Sequence, residues 1–239
     1  MKILLLGYGK MGQLIDKLAT AKGHEIVGKI NIDNRNELDQ FNSSNVDAAI
    51  EFSQPEAAVE NIKWCLERQI PVAVGTTGWL DKRAEINSFC QENNGTYLFA
   101  SNFSIGVNIF FKLNEYLAQM MADQDYSVTT KEIHHTSKKD APSGTSITLA
   151  EGILKHVTSK KSWVNQETDN AEELEIISER IDPAPGTHEI TYSSPVDTIE
   201  ICHTAHSREG FAKGAIAVAE WLKNQKGVKT MDDFLESRF

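Results

Sequence analysis

Along the first hundred residues, hydrophobic and polar positions alternate between a strand pattern and a helix pattern. Short apolar runs typical of buried parallel strands are separated by segments in which apolar residues recur at helical spacing. The predicted strands are Lys2 to Leu6, Glu25 to Ile30, Val46 to Phe52, Pro71 to Val74 and Thr96 to Ala100. Between two of them, Ser53-Gln54-Pro55-Glu56 has the pattern of a capping box and predicts a helix start. Strands and helices in alternation predict an α/β fold with a doubly wound parallel sheet.

The pattern changes after Asn102. A long helix is predicted through Ile109, Leu113 and Met120, and polar residues from 155 to 170 predict a loop or an excursion. The further strands, which we expect to form a mixed, largely antiparallel sheet, are Tyr126 to His135, Leu174 to Ile181, Thr187 to Tyr192 and Thr198 to Thr204. The last three are expected to pair antiparallel, and a helix from Gly210 to Leu222 is expected to pack on the first domain. We therefore predict a first domain of residues 1–103 with 211–239, and a second α+β domain of residues 104–210.

Composition and charge restrict the classes of function. The chain has 239 residues, 40% of them hydrophobic and 24% charged, which is typical of a soluble globular protein. Its net charge of −10 argues against nucleic-acid binding, and it contains no apolar run long enough to span a membrane. Three scattered cysteines predict reduced thiols and a cytoplasmic location.

A glycine-rich turn follows the first predicted strand. The sequence Gly7-Tyr8-Gly9-Lys10-Met11-Gly12 matches G-x-G-x-x-G and lies between a strand and a helix, the setting in which this motif indicates dinucleotide binding. Gly75-Thr76-Thr77-Gly78 and Ser101-Asn102-Phe103-Ser104 follow two other strands of the same sheet, where ligands bind in such folds. Each could instead be a simple turn, and Phe103 could be a core residue.

The second strand of a dinucleotide fold normally ends in an acid that binds the adenosine ribose. Asn31 occupies that position here, with Asp33 two residues later and Arg35 beyond it. Asp33 would suit NAD, whereas Arg35 would suit the 2′-phosphate of NADP. The sequence leaves the choice between NADH and NADPH open.

The densest titratable chemistry lies between Glu132 and Thr145. It contains His134, His135 and Lys138, and Ser143-Gly144-Thr145 is predicted to open a helix whose free N–H groups attract anions. Adjacent histidines on a strand face opposite sides, so at most one of them is expected to face a given cleft unless the strand ends there. An imidazole in such a cleft suits general acid–base chemistry. No acid or cysteine accompanies them at ligand spacing, and we expect no metal. The alternative is a structural or surface histidine pair.

The segment Glu132-x-His134-His135-x-x-Lys138-x-Asp140-Ala141-Pro142-Ser143-Gly144-Thr145 resembles the signature of the dihydrodipicolinate reductase (4-hydroxy-tetrahydrodipicolinate reductase) family. The glycine-rich turn, Gly75 to Gly78 and Ala100 to Asn108 resemble the cofactor segments of that family in order and spacing. His203 to Arg208 resembles its closing motif.

This resemblance implies a Rossmann-type first domain, NADH or NADPH as cofactor, a small dicarboxylate substrate and a homotetramer. It implies that His134 is the acid–base residue, that Lys138 donates a proton, and that His135, Gly144 and Thr145 bind the substrate carboxylates. The implied cofactor-binding residues are Gly7, Tyr8, Gly9, Lys10, Met11, Gly12, Gly75, Thr76, Thr77, Ala100, Ser101, Asn102 and Phe103. The implied reaction is hydride reduction of 4-hydroxy-tetrahydrodipicolinate in lysine biosynthesis.

Two other functions fit part of the sequence. An aspartate-type dehydrogenase would share the glycine-rich turn but would not require Lys138 together with the Pro-Ser-Gly-Thr helix start. A redox-sensing nucleotide binder would use the first domain only, and would leave the cationic cluster of the second without a purpose.

Overall fold

The chain folds into two units, each built on its own β-sheet. The computed structural model describes residues 1–238. One unit contains Met1–Ile105 and the segment from Glu209 onward, and the other contains Gly106–Arg208. The helix Glu209–Leu222 therefore belongs to the first unit.

The first unit has a parallel sheet of six strands in the order β11-β5-β4-β3-β1-β2. The strands are β1 Lys2–Leu6, β2 Glu25–Ile30, β3 Ala48–Glu51, β4 Val72–Val74, β5 Thr96–Phe99 and β11 Gly227–Lys229. The helices are α1 Lys10–Ala21, α2 Pro55–Glu67, α3 Arg83–Glu92, α6 Glu209–Leu222 and α7 Met231–Glu236, with 3-10 segments at Ile32–Gln40 and Leu80–Lys82. The predicted parallel Rossmann-type sheet is confirmed.

Strand alternation divides the first unit into two apolar cores. Ile3 and Leu5 of β1 lie in one core together with α1 and α6 residues. Leu4 and Leu6 lie in the other core with α2 and α3 residues. Because successive side chains of a strand face opposite sides, an unbroken apolar run indicates a strand covered by helices on both faces.

The second unit has a mixed sheet of five strands in the order β10-β9-β6-β8-β7. The strands are β6 Ser127–His134, β7 Ser162–Val164, β8 Glu173–Arg180, β9 Gly186–Ser193 and β10 Thr198–Ala205. The helices α4 Ile105–Met121 and α5 Gly144–Leu154 contribute, with one face of the sheet, to a third apolar core. This arrangement confirms a mixed sheet in an α+β unit.

Three local predictions are wrong. Strand β8 pairs parallel with β6 and β7 and not antiparallel with β9, so that only two of the four pairings are antiparallel. The polar segment from 155 to 170 contains β7 and is not only a loop. Ser53 does not cap α2: the N-cap is Gln54, Pro55 is the first helical residue, and the Ser53 hydroxyl donates to Glu51 instead.

Two more observations concern membrane-spanning helices and the cysteines. Within residues 1–238, every helix is too short or too polar to cross a bilayer. All three cysteines are free; Cys65 and Cys90 are buried and Cys202 is exposed.

Candidate functional site

The glycine-rich turn of the first unit follows β1 and leads into α1. Gly7 has a φ of +95°, and a Cβ there would lie 2.1 Å from the Phe52 carbonyl oxygen. A Cβ on Gly12 would lie 2.3 Å from the Gly7 carbonyl oxygen, so this glycine allows α1 to approach the turn. Nothing lies within 4 Å of a Cβ built on Gly9, the N-cap of α1. The start of α1 is thus open to an anion such as a pyrophosphate.

The remaining residues of the turn differ in what they can offer. The Tyr8 hydroxyl donates to Asp16, and its backbone N–H donates to Asn31 at 2.8 Å. Lys10 is exposed at the first position of α1. Met11 is partly buried and packs against the first core. A ligand could therefore contact the side chain of Lys10.

The two other predicted cofactor segments follow β4 and β5 at the same edge of the parallel sheet. A Cβ on Gly75 would lie 2.2 Å from the Phe52 ring. Thr76 is buried; its hydroxyl accepts from the backbone N–H of Ser53 at 2.8 Å, and its carbonyl accepts from the indole of Trp79 at 2.7 Å. Thr77 is exposed. The Thr76 side chain therefore ties neighbouring loops together, and Thr77 is free to face solvent.

Beyond β5, exposure changes from residue to residue. Ala100 is buried, Ser101 is exposed, and the Asn102 side chain accepts from the backbone N–H of Ser104 at 2.8 Å. Phe103 is 1% exposed and packs in the first core, with its ring centroid 5.8 Å from that of Phe52. Any ligand contact of Phe103 in this arrangement would use its backbone.

A cavity of about 750 Å³ extends from Gly7 and Gly9 to the end of β2. The Asn31 side chain accepts the Tyr8 N–H described above, and Asp33 is exposed at the cavity wall. Arg35 donates to Asn61 and forms an ion pair with Glu60 at 3.3 Å. The Arg35 guanidinium at this end of the cavity is thus already paired within the protein.

The second unit contains a fully buried carboxylate at the centre of its polar cluster. Glu132 of β6 accepts from the backbone N–H of Ser143 at 3.1 Å, from the Ser146 hydroxyl at 2.7 Å and from the Ser178 hydroxyl at 2.7 Å. The Arg180 guanidinium lies 3.5 Å away. Burial alone would raise the pKa of Glu132, but these hydrogen bonds outweigh it and lower the pKa to about 2. Glu132 is therefore ionised at neutral pH, and it joins β6 to β8 and to the start of α5.

Two imidazoles lie beside this carboxylate. His134 Nδ1 is 3.5 Å from Glu132 Oε2, and His188 Nε2 of β9 is 3.8 Å from the same oxygen. The two rings meet edge to face, with centroids 5.2 Å apart. Burial lowers the pKa of His134, with Glu132 opposing the shift, and burial lowers the pKa of His188 to about 4. Both rings are therefore neutral at neutral pH.

The other predicted residues of this site follow β6 in the chain. His135 comes directly after the strand, and its Nδ1 lies 2.7 Å from the Ser137 hydroxyl. Lys138 pairs with Asp140 at 2.8 Å, and this lysine lowers the pKa of Asp140. Gly144 and Thr145 form the first turn of α5 after the N-cap Ser143, and a Cβ on Gly144 would meet nothing within 4 Å. All five predicted residues thus lie between the end of β6 and the first turn of α5.

The fold also brings together atoms that could hold a metal ion. One ligand atom each from Glu132, His134 and His188 lies within 4.8 Å of the others. Neither this carboxylate nor His188, which lies far along the chain, could be recognised as a metal ligand from sequence spacing. However, Glu132 already accepts three hydrogen bonds and faces the Arg180 guanidinium, so a cation here would compete with an existing positive charge.

Glu132, His188 and Arg180 were not assigned roles from the sequence. Glu132 is one residue of the motif, but it is buried only because β8 and α5 pack against it. In the strand register, Glu132 is opposite both Ser178 and His188, and His134 is opposite Arg180. Alternation along the predicted strand could have shown that His188 shares a face with Ile190 and Tyr192. Its neighbours on other strands could not be inferred.

Comparison with known proteins gives matches over both units. Residues 1–103 match the family described as dihydrodipicolinate reductase, N-terminus, and residues 106–235 match dihydrodipicolinate reductase, C-terminus. The chain is 48% identical to a 4-hydroxy-tetrahydrodipicolinate reductase of Christiangramia forsetii, over 100% of this chain and 99% of the relative. It is 33% identical to one of Archaeoglobus fulgidus, over 95% and 96% of the two chains.

The fold is also similar to a solved structure. A dipicolinate-bound dihydrodipicolinate reductase from Paenisporosarcina superposes with a TM-score of 0.80 at 20% identity, covering 96% of this chain and 97% of that one. At this identity the likeness concerns the fold alone. The family matches and the full-length relatives together show that this chain belongs to the dihydrodipicolinate reductase family.

Proposed function

We propose that the chain reduces 4-hydroxy-tetrahydrodipicolinate to tetrahydrodipicolinate, with NADH or NADPH as hydride donor, in the diaminopimelate route to lysine. The observation that carries this proposal is the cluster between β6 and α5. There a buried histidine, a lysine and an open helix N-terminus lie within one short segment of a chain that belongs to this family. When bound, the reduced nicotinamide supplies the hydride.

For the first unit, we propose that the start of α1 binds the cofactor pyrophosphate. The open space at Gly9, the exposed side chain of Lys10 and the unsatisfied N–H groups of the first helical turn support this assignment. Backbone groups of Gly75 and Ala100 to Phe103, with Thr77, would extend the contact along the sheet edge. Tyr8, Met11 and Thr76 would shape the pocket through the contacts already described.

For the second unit, we propose that the first turn of α5 binds substrate carboxylates. The N–H groups of Gly144 and Thr145 have no acceptor within the helix, and no protein atom crowds Gly144. Lys138 would leave Asp140, an exposed partner, to neutralise and protonate the substrate. His135 would donate to a carboxylate, and His134 would be the acid–base residue, taking up a proton at its free ring nitrogen before passing it on.

We further propose that NADH is preferred over NADPH. The cavity wall near the end of β2 carries the carboxylates of Asp33, Glu56 and Glu60 against the single guanidinium of Arg35, which is already paired with Glu60. A 2′-phosphate would add about two negative charges to this acidic part of the cavity wall. Asp33, which is exposed at the same wall, would accept from a 2′-hydroxyl of the ribose.

Two assignments beyond the reaction stay predictions. A homotetramer is supported by exposed apolar side chains along α4, which include Ile109, Leu113, Tyr116 and Met120. Light scattering at several protein concentrations would test it, and a monomer at all of them would reject it. A cytoplasmic location is supported by three free thiols.

The reaction is tested by coupling the purified chain to dihydrodipicolinate synthase and following the loss of reduced nicotinamide with each cofactor. We expect oxidation of both, with kcat/KM at least about tenfold higher for NADH. Oxidation of neither would reject the reaction. Faster oxidation of NADPH would reject the cofactor preference and leave the reaction standing.

A further inference from the structure

The carboxylate of Glu132 lies on the same face of β6 as His134, two residues along the strand. It is 0% exposed, and its oxygens receive donors from β8 and from the start of α5. Removing an ionised carboxylate from water is costly unless its hydrogen bonds are replaced, as they are here. The Arg180 guanidinium, 3.5 Å from Oε1, offsets part of the charge, and the other oxygen, Oε2, is the one that lies beside His134.

The imidazole of His134 presents its two nitrogens to different surroundings. Nδ1 is buried, has no hydrogen-bond partner among the described residues, and lies 3.5 Å from Oε2 of the ionised Glu132 carboxylate. Nε2 lies on the side of Gly186, where a Cβ would be 3.1 Å from it. Catalytic hydrogen bonds are often long in the free enzyme and shorten in the complex, so a separation of this size fits an orienting contact. Glycine at 186 leaves the Nε2 edge uncovered by a side chain.

His188 restricts the orientation of the same ring. Its edge-to-face contact with His134 leaves the His134 ring plane little freedom, and its Nε2 also lies 3.3 Å from the Ser143 hydroxyl. The charged and titratable groups that act on His134 are Glu132, His135, Lys138 and Arg180, together with His188 in ring contact. Glu132 is the sole negative group among these, so it alone favours a proton on the ring nitrogen nearest to it.

We infer that Glu132 is the positioning residue of His134: it fixes the tautomer with the proton on Nδ1, and it leaves Nε2 as the atom that exchanges a proton with the substrate. This inference rests on the proposed function for its catalytic consequence. The tautomer itself is a property of the free protein. An Asp–His pair acts in this way in serine proteases, where the carboxylate orients the imidazole and does not itself take up the proton.

The test replaces Glu132 with Gln, which has nearly the same shape and no charge. The amide carbonyl can still accept from Ser143, and the amide N–H₂ is then available to His134 Nδ1, which reverses the favoured tautomer. We expect kcat to fall by roughly 10- to 1,000-fold with KM changed less than about threefold. Nitrogen-15 NMR of labelled imidazoles should show His134 protonated on Nδ1 in the wild type and on Nε2 in the variant. The signal is assigned by its loss in His134→Gln.

Ser178→Ala is the matched control. It removes one hydrogen bond to Glu132 Oε1 but keeps the charge and the Oε2 contact with His134. If Glu132 only ties the strands together, both variants lower the melting temperature and leave the tautomer and the pH profile of kcat as in the wild type, which overturns the inference. If the inference holds, only Glu132→Gln changes the tautomer and moves the His134 inflection of the pH profile to lower pH. Glu132→Asp should restore the Nδ1 tautomer in part.

The NMR measurement separates this inference from the proposed reaction. A wild type that shows the Nδ1 tautomer but no turnover would reject the reaction and keep the positioning contact. A wild type that turns over with His134 protonated on Nε2 would reject the positioning role alone.

Discussion

Acidification should destabilise the second unit through His188. This residue is 5% exposed, and burial lowers its pKa from 6.5 to about 4. Between these two values the unfolded chain binds a proton that the folded chain does not. Stability linked to His188 is therefore intact above about pH 6.5 and falls as the pH drops towards 4, below which no further loss arises from this group.

The size of the effect follows from the two pKa values. Between about pH 7.5 and about pH 5, His188 should cost about 2 kcal/mol of unfolding free energy. Glu132 adds little in this window, because its pKa of about 2 in the folded chain and its ordinary value of 4.5 both lie below it. The lowered pKa of His134 also reduces stability on acidification. It does so in both the wild type and a His188 variant, so it cancels when the two are compared.

Urea unfolding at the two pH values would measure this loss in the wild type and in His188→Gln, at one fixed protein concentration because assembly shifts apparent stability. The glutamine cannot be protonated, so the variant should lose about 2 kcal/mol less than the wild type on acidification. His206→Gln, at an exposed position of the same unit, is the control and should lose as much as the wild type. Equal losses in the wild type and His188→Gln would refute a buried neutral His188.

Four further substitutions test the proposed sites. Lys138→Ala should lower kcat by about 100-fold or more while the cofactor Kd, measured by fluorescence titration, changes less than about twofold; turnover close to wild type would contradict a proton-donating lysine. Gly9→Ala should keep the wild-type melting temperature but raise the cofactor Kd severalfold, whereas Gly12→Ala, whose Cβ would lie 2.3 Å from a backbone oxygen, should lower the melting temperature by several degrees in a thermal scan. Asp33→Asn should raise the ratio of kcat/KM for NADPH to that for NADH by roughly three- to tenfold, since it removes one charge that repels the 2′-phosphate, and an unchanged ratio would count against the proposed preference.

The first sheet could be predicted from sequence because its signals are local. β1 has the predicted bounds Lys2–Leu6 and β2 the predicted bounds Glu25–Ile30. Each is an apolar run that ends at a turn, and the parallel order follows from the helices between them. The short strands β7 and β11 were missed, since each has only three residues and lacks a recognisable period.

The second sheet required information that no local pattern contains. The strands β8 and β9 are neighbours in the chain, which made antiparallel pairing the simplest expectation. In the structure, β6 lies between them and accepts β8 in parallel and β9 antiparallel. The position of β6 between β8 and β9 depends on long-range packing of α4 and α5 on the sheet. The alternation of apolar and polar residues within a single segment contains no information about that packing.

The same limit explains what was missed at the site. His134 and Lys138 belong to a contiguous motif and could be recognised there. Glu132 is part of that motif too, but its importance depends on Ser146 and Ser178, which reach it from another helix and another strand. The prediction for Ser53 failed in the opposite way. The local sequence matches a capping pattern, but the Ser53 hydroxyl donates to the buried carboxylate of Glu51.

An acidic chain that binds a dicarboxylate must create positive potential locally. Glu132 determines which N–H groups at the start of α5 remain available to an anion. The start of α5 offers several N–H groups, and Glu132 takes the one from Ser143. Those of Gly144 and Thr145, farther along the first turn, remain for an outside anion. Because Glu132 is held by hydroxyls and by Arg180 as well, its charge is largely offset where it lies. The proposed orientation of His134 by the buried carboxylate is therefore compatible with the proposed binding of the substrate by the outer N–H groups.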